Sequence, residues 1–238
     1  MFLDNEEARL AAVRRYDILD TPPDGAFERI TELAARLFEV PISIVSIVDH
    51  DRIWFKSARG VGVTEIGRDP GLCASAICQY EPWIVTDAAV DPRTIDNPLV
   101  AGELGLRFYL GVPLTTADGH NLGTLNVIDV EPREVTDGEV QTLKDLAAIV
   151  VDELELRLAA RQAIAERMRR GLEVNDEVIQ GLAVAKLALE LGQTAQAETA
   201  VGGALHAAQA IVAELLEDSE GGRLEAGDLV RQRPPAIA

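Results

Sequence analysis

The chain has 238 residues, 47% of them apolar and 26% charged, enough apolar material for a packed core, which excludes global disorder. The charge is lopsided: 40 acidic residues against 22 basic ones give a formal net charge of −18, a surface that repels phosphate backbones and anionic lipid heads, so no nucleic acid and no membrane is expected as a partner. The amino-terminal stretch MFLDNEEARLAAV lacks the basic-then-apolar order of a secretion signal, and no apolar run approaches the roughly 20 residues that span a bilayer. Two cysteines, Cys73 and Cys78, do not make a disulfide framework, and the expectation is a cytoplasmic protein.

In chain order, Ala8, Leu10, Ala11, Val13 and Leu19 give the first twenty or so residues helical spacing, closed by DTPPDG. Phe27, Ile30, Leu33, Ala34 and Leu37 recur at three- and four-residue steps and predict a helix over 26–38, ended by Pro41. PISIVSIVD is β-branched and apolar at odd and even positions alike, the pattern of a strand covered on both faces, and RIWFKSARG is its hairpin partner across His50 and Asp51. The looser stretch VGVTEIGRDPGLCASAICQYEP carries one short helix near Leu72–Cys78. After it come a short strand at WIVTDAA, a loop at DPRTIDNP and a helical turn near Leu99. RFYLGVPLTT and NLGTLNVIDV are strands joined by the tight turn ADGH.

At VTDGEV the period changes. Thr136 followed by Glu139 is a capping-box signature, and a long helix then runs past Arg157 on the stripe Val140, Leu143, Ala147, Val150 and Leu154. A further stripe, Val178, Leu182, Ala185 and Leu189, is stopped at Gly192. Thr194 caps a last helix carrying Val201, Leu205, Ala208, Val212 and Leu215. The fold class expected is α+β: an antiparallel sheet of about five strands flanked by helices, then a long helix and a helical hairpin. Two helices alone cannot bury both stripes, so a second copy is expected to complete a four-helix bundle, with Val178, Leu182, Ala185, Leu189, Leu205, Val212 and Leu215 as the homodimer interface. The division expected is a mixed α+β domain over 1–155, a helical linker and hairpin over 156–217, and a disordered tail over 218–238.

Five stretches carry a resemblance: ARLAAVRRYDILDTPPDGAFERIT, LFEVPISIVSIVDHDRIWFKS, RDPGLCASAI, DNPLVAGELGLRFYLGVPL and LGTLNVIDVEPR. In that order they resemble the GAF family across residues 5 to about 155. The resemblance implies a signal-sensing cup on one sheet face and dimerisation helices on the other, without specifying a ligand or cofactor. Further on, ERMRRGLEVNDEVIQGLAVAKLALE resembles the HisKA-type dimerisation and phosphoacceptor hairpin of histidine kinases, with Glu166, Arg167, Arg169, Glu173, Asp176, Gln180 and Leu182 fitting. The phosphoacceptor position is Asn175, whose carboxamide is not nucleophilic as an imidazole is. About 60 residues follow it, fewer than an ATP-binding domain needs. The expectation is therefore a protein that is not an enzyme, with Asn175, Asp176 and Gln180 at the surface that docks a separate kinase or response regulator.

The candidate ligand-binding residues are Trp54, Arg68, Cys73, Ile77, Asp87, Asn97, Phe108, Tyr109 and Asn126. Of the adjacent pairs Trp54–Phe55 and Phe108–Tyr109, strand alternation sends one member to the cup and the other to the helices, without saying which. Cys73 serves equally as a small buried hydrophobe or, in the alternative reading, as the centre of a cofactor-binding or thiol-redox site. Arg68, Asp69, Asp87, Asp91, Asp96 and Asn97 cluster in the loops framing the cup, where turn and helix capping competes with ligand binding. His50, His120 and His206 are expected at the surface, and no residue spacing suggests a metal site or an acid–base pair. The leading expectation is a sensor that passes occupancy of the cup to the helical bundle. An empty cup that serves dimerisation alone is the remaining reading.

Overall fold

The structure is a computed structural model that describes the backbone of residues 5–69 and 71–221, with side chains other than those of 173, 174 and 211–221. Residues 222–238 of the tail expected over 218–238, and the side chains of Val212 and Leu215, lie outside the described residues. The chain divides into two compact units between Ala160 and Arg161.

In the first unit, α1 (Glu6–Tyr16) and α2 (Ala26–Phe38) precede the sheet. The amide of Gly25 donates to Glu28 Oε2 at 2.7 Å, which ties down the start of α2, and Glu39 in the left-handed region ends it. Six strands follow: β1 (Ile42–Val48), β2 (Arg52–Arg59), β3 (Glu65–Gly67), β4 (Trp83–Val85), β5 (Phe108–Thr115) and β6 (Asn121–Asp129). They form one antiparallel sheet in the order β3-β2-β1-β6-β5-β4. The sixth strand, β3, falls in the stretch read as irregular. It is a three-residue edge strand with only Ile66 half-buried, too short to show alternation. Short helices α3 (Leu72–Ala76) and α4 (Pro98–Ala101) lie in the connections.

The two faces of the sheet have separate cores. On one face α1, α2 and the start of α5 (Asp137–Glu190) bury Val13, Phe27, Phe38, Leu143 and Val150 against Val45, Ile47, Leu110 and Val127. The other face is covered by α3 and irregular chain, with Leu72, Ala76, Ile77 and Leu106 packed on Ile44, Ile53, Phe55, Tyr109 and Ile128. The capping box at the head of α5 is formed as the spacing predicts: Glu139 N donates to Thr136 Oγ1 at 3.2 Å, and Thr136 N donates to Glu139 Oε2 at 2.8 Å.

The second unit holds the rest of α5 and α6 (Thr194–Gly221), joined at Gly192 with φ of 72°. Among its described side chains the buried ones are small: Ala185 and Ala188 on α5, and Ala197, Ala204 and Ala207 on α6. A Cβ at Gly181 would stand 2.9 Å from the Ala204 Cβ, so the helices approach closely there. Leu182, Leu189 and Leu205 of the expected dimer interface are exposed and Val178 is half-buried. Ala185 is a correction: it is buried within its own chain and is not available to a second copy.

Candidate functional site

Strand alternation on β1, β2, β5 and β6 builds the floor of the cup. Phe55 and Tyr109 point to it, while Trp54 and Phe108 point into the helix-side core. Between this floor and the covering chain lies a cavity of about 180 Å³. The strands supply Ile42, Ile44, Phe55, Tyr109 and Ile128. Val61, Val63 and Ile66 close one side, and α3 contributes Leu72 and Cys73. Leu99, Leu104 and Leu106 complete the lining.

One polar thread runs through the floor. Ser46 Oγ and Thr124 Oγ1 are 2.9 Å apart, Asn126 Nδ2 donates to Thr124 Oγ1 at 3.0 Å and to Cys73 Sγ at 3.4 Å, and the Tyr109 hydroxyl donates to Cys73 Sγ at 3.6 Å. Burial, with Cys73 beside it, pushes the Tyr109 phenol well above its usual pKa and keeps it a neutral donor. Asn126 is fully buried, and its Oδ1 accepts no hydrogen bond. Gly111, opposite Asn126 on β5, leaves room for the Tyr109 ring: a methyl group there would overlap the hydroxyl.

The sequence-derived candidates separate accordingly. Cys73 and Tyr109 line the cavity, and Asn126 stands next to them. Trp54 and Phe108 are corrections, since alternation turns both away from the cup. Ile77 is wholly buried in the cup-side core and does not line the cavity. Asp87 is engaged by Arg107, whose Nε and Nη2 donate to it at 2.6 and 2.7 Å, and both bonds hold the Asp87 carboxyl below the usual range. Asn97 Oδ1 accepts from the Leu99 amide at 2.9 Å as the cap of α4.

Arg68 is held by Glu6 Oε1 at 2.6 Å and by the carbonyls of Asp49 and His50. Glu6 also receives two hydrogen bonds from Arg9, at 2.9 and 2.7 Å, and Arg9 in turn donates to the Val48 carbonyl at 2.7 Å. Burial pushes the Glu6 carboxyl up, but hydrogen bonds from Arg9 and Arg68 outweigh it and hold its pKa at about 2. Arg68 and Asn97 therefore serve structure first. They also border an open polar hollow of about 590 Å³, with His50, Asp51, Ser75 and Arg93, which shares Leu72 with the apolar cavity.

Sequence reading missed the strand and helix liners Ile42, Ile44, Leu72, Leu99 and Ile128, and with them Val61, Val63, Ile66, Leu104 and Leu106 from the looser chain. The signal of the second group is the apolar residues of two stretches otherwise read as irregular chain. Asn175, Asp176 and Gln180 are exposed on α5. Among the described residues no cluster of His, Cys, Asp or Glu is placed to hold a metal ion. No helix of the described residues is long and apolar enough to cross a membrane.

The GAF domain family matches residues 22–154, more than half of the chain and the whole of the sheet. The chain belongs to the GAF family. It is a sensor-type GAF protein with a six-stranded antiparallel sheet. It is 41% identical over 149 residues to a protein of Pseudomonas aeruginosa named as a cyclic di-GMP phosphodiesterase, a match covering 62% of this chain and 25% of the relative. The chain thus spans about a quarter of that relative's length. This similarity overturns the expectation of a protein that is not an enzyme, because the relative bears the name of one. Among solved structures, the chain is similar to a free methionine-R-sulfoxide reductase from Neisseria meningitidis (22% identity, 68% of this chain and 97% of that one, TM-score 0.46). It is also similar to the GAF domain of an Acinetobacter phosphoenolpyruvate-protein phosphotransferase (16% identity, 67% and 98%, TM-score 0.44). Likenesses this loose carry no argument about ligand or activity.

Proposed function

We propose that this GAF protein senses a small molecule held in the cavity between the sheet and α3, and that α5 passes the state of the cup to a helical output. The observation that carries the reading is the cavity itself: about 180 Å³ of apolar space kept open within an otherwise tightly packed domain. Packed cores rarely retain such a void, and a ligand that fills it stabilises the folded chain by mass action.

In this reading the α5–α6 hairpin pairs with a second copy through Leu182, Leu189 and Leu205, with Val212 and Leu215 continuing the same stripe, to make a HisKA-like four-helix bundle. Asn175, Asp176 and Gln180 then dock a separate kinase domain or response regulator, Asn175 standing in the phosphoacceptor place. The exposure of those leucines on a hairpin whose own seam is alanine supports it. The activity under control is hydrolysis of cyclic di-GMP, a reading supported by the Pseudomonas relative. The cup is not the place for that dinucleotide, whose two phosphates have no cation to meet among the liners.

Thermal-shift screening of small metabolites against the wild type and Leu104→Trp tests the proposal. A compound that raises the melting temperature of the wild type and not of the filled variant supports it. A full screen without such a compound sinks it.

A further inference from the structure

The cavity has a closed end and a rim. Ile44, Leu72, Cys73 and Tyr109 are buried where it meets the sheet and α3. Val61, Leu99 and Leu104 are half-buried, and Val63 is 53% exposed although it lines the same space, so solvent reaches the rim there.

Nothing along this wall can answer a polar group. No lining side chain carries a charge, and the lining exposes no polar surface. The Tyr109 hydroxyl, the one oxygen that a lining side chain carries, is spent on the Cys73 sulfur. Behind the side chains, the backbone groups of β1, β2, β5 and β6 are paired along the strand ladders.

Such a wall chooses its guest by exclusion. A hydroxyl or amide buried there loses its hydration and finds no partner, and an ionised group loses far more. A hydrocarbon group gives up no hydrogen bond to water and gains dispersion contact on every side. Size narrows the choice further. An apolar protein cavity of about 150 Å³ stays dry and accepts benzene, so about 180 Å³ suits one ring with a methyl group or two, or a short branched chain.

We propose that the cup recognises an uncharged hydrocarbon group of about one ring's bulk, by shape and desolvation alone, with no hydrogen bond to the protein. This rests on the reading of the cavity as the sensor's ligand site and adds the class of ligand. Two sources share this chemistry: a free small hydrocarbon, and the apolar end of a longer molecule whose polar end stays in solvent at Val63.

The test uses the full chain and three benzenes of one shape, para-xylene, para-cresol and hydroquinone. Binding is read by calorimetry and thermal shift under argon, which keeps hydroquinone reduced. Hydroquinone carries a hydroxyl at each end, so any pose that fills the cup buries one of them. Para-xylene is expected to bind at least about tenfold more tightly than hydroquinone. Leu104→Trp is expected to abolish para-xylene binding. Para-cresol separates the two sources. An affinity near that of para-xylene places its hydroxyl at the rim and identifies the end of a longer molecule, whereas one near that of hydroquinone identifies a free hydrocarbon. Because the ratio of para-xylene to hydroquinone is read on the wild type, the test survives a poorly folding Leu104→Trp. Hydroquinone binding as tightly as para-xylene overturns the ligand class. So does silence of para-xylene when the metabolite screen yields a ligand that Leu104→Trp excludes, and the sensor reading then stands. If para-xylene and the screen are both silent, both readings fall.

Discussion

Glu6 offers the sharpest test of how the cup's surroundings are tied together. Its carboxylate accepts from Arg9, which is 1% exposed, and from Arg68, which is 8% exposed, so one acid on α1 neutralises two buried cations. Replacing it by glutamine keeps the shape and removes the charge. The pKa of about 2, against an ordinary value of 4.5, corresponds to about 3 kcal/mol of stabilisation at neutral pH, by ~1.4 kcal/mol per unit. Breaking a buried pair by removing one partner costs a similar 3–5 kcal/mol, roughly, in other proteins. The sign follows from the lowered folded value: the contribution is whole above pH 4.5, declines as pH falls, and is gone once pH has passed below about 2. Urea unfolding of the wild type and Glu6→Gln at pH 7 and at pH 3 reads it directly. The variant is expected to be about 3 kcal/mol less stable at pH 7, with the gap reduced by roughly half or more at pH 3. A gap under about 1 kcal/mol at pH 7, or one that does not change with pH, refutes the reasoning.

Three further expectations follow from the packing. Gly111→Ala is expected to destabilise by about 1–3 kcal/mol, because its methyl displaces the Tyr109 ring; chemical denaturation should show the effect shrinking when Tyr109→Leu is already present. Gly181→Leu is expected to pry α6 from α5 at Ala200 and Ala204, seen as faster proteolysis of the hairpin with the sheet's melting unchanged. Tyr16 donates to Glu155 at 2.6 Å, and burial, then that carboxylate, pushes its phenol up to about 12. Its neutral form therefore contributes stability that is whole below pH 10 and is lost as pH rises toward 12, so Tyr16→Phe should lack this alkaline loss in pH-resolved melting curves.

Much of the architecture was legible because local periodicity and burial agree. The spacing of Phe27, Ile30 and Ala34 marks α2 from end to end, and Thr136 with Glu139 marks the head of α5. What stayed hidden needed partners far apart in the chain. Glu6 meets Arg68 across 62 positions, and nothing near either residue announces it. The choice between Trp54 and Phe55 turns on a register shift between Val45 and Ser46, which breaks period-two counting on the paired strand. In the hairpin, the leucine and valine stripes gave no sign of the seam within the chain, which is built of alanine and Gly181 because small side chains allow closer approach. Part of the cavity's lining was hidden for a different reason: Val61, Val63, Leu104 and Leu106 lie in chain without regular period, so their convergence belongs to the fold and not to any local pattern.

The claim on which the rest depends is that the cup is an apolar space open to a small guest. A crystal of the full chain pressurised with xenon examines that claim most directly, since xenon enters dry apolar cavities. A xenon peak between Phe55, Tyr109 and Leu104, absent in Leu104→Trp, is the predicted result. Side chains collapsed across that space, or ordered water in it with no xenon, would contradict the account.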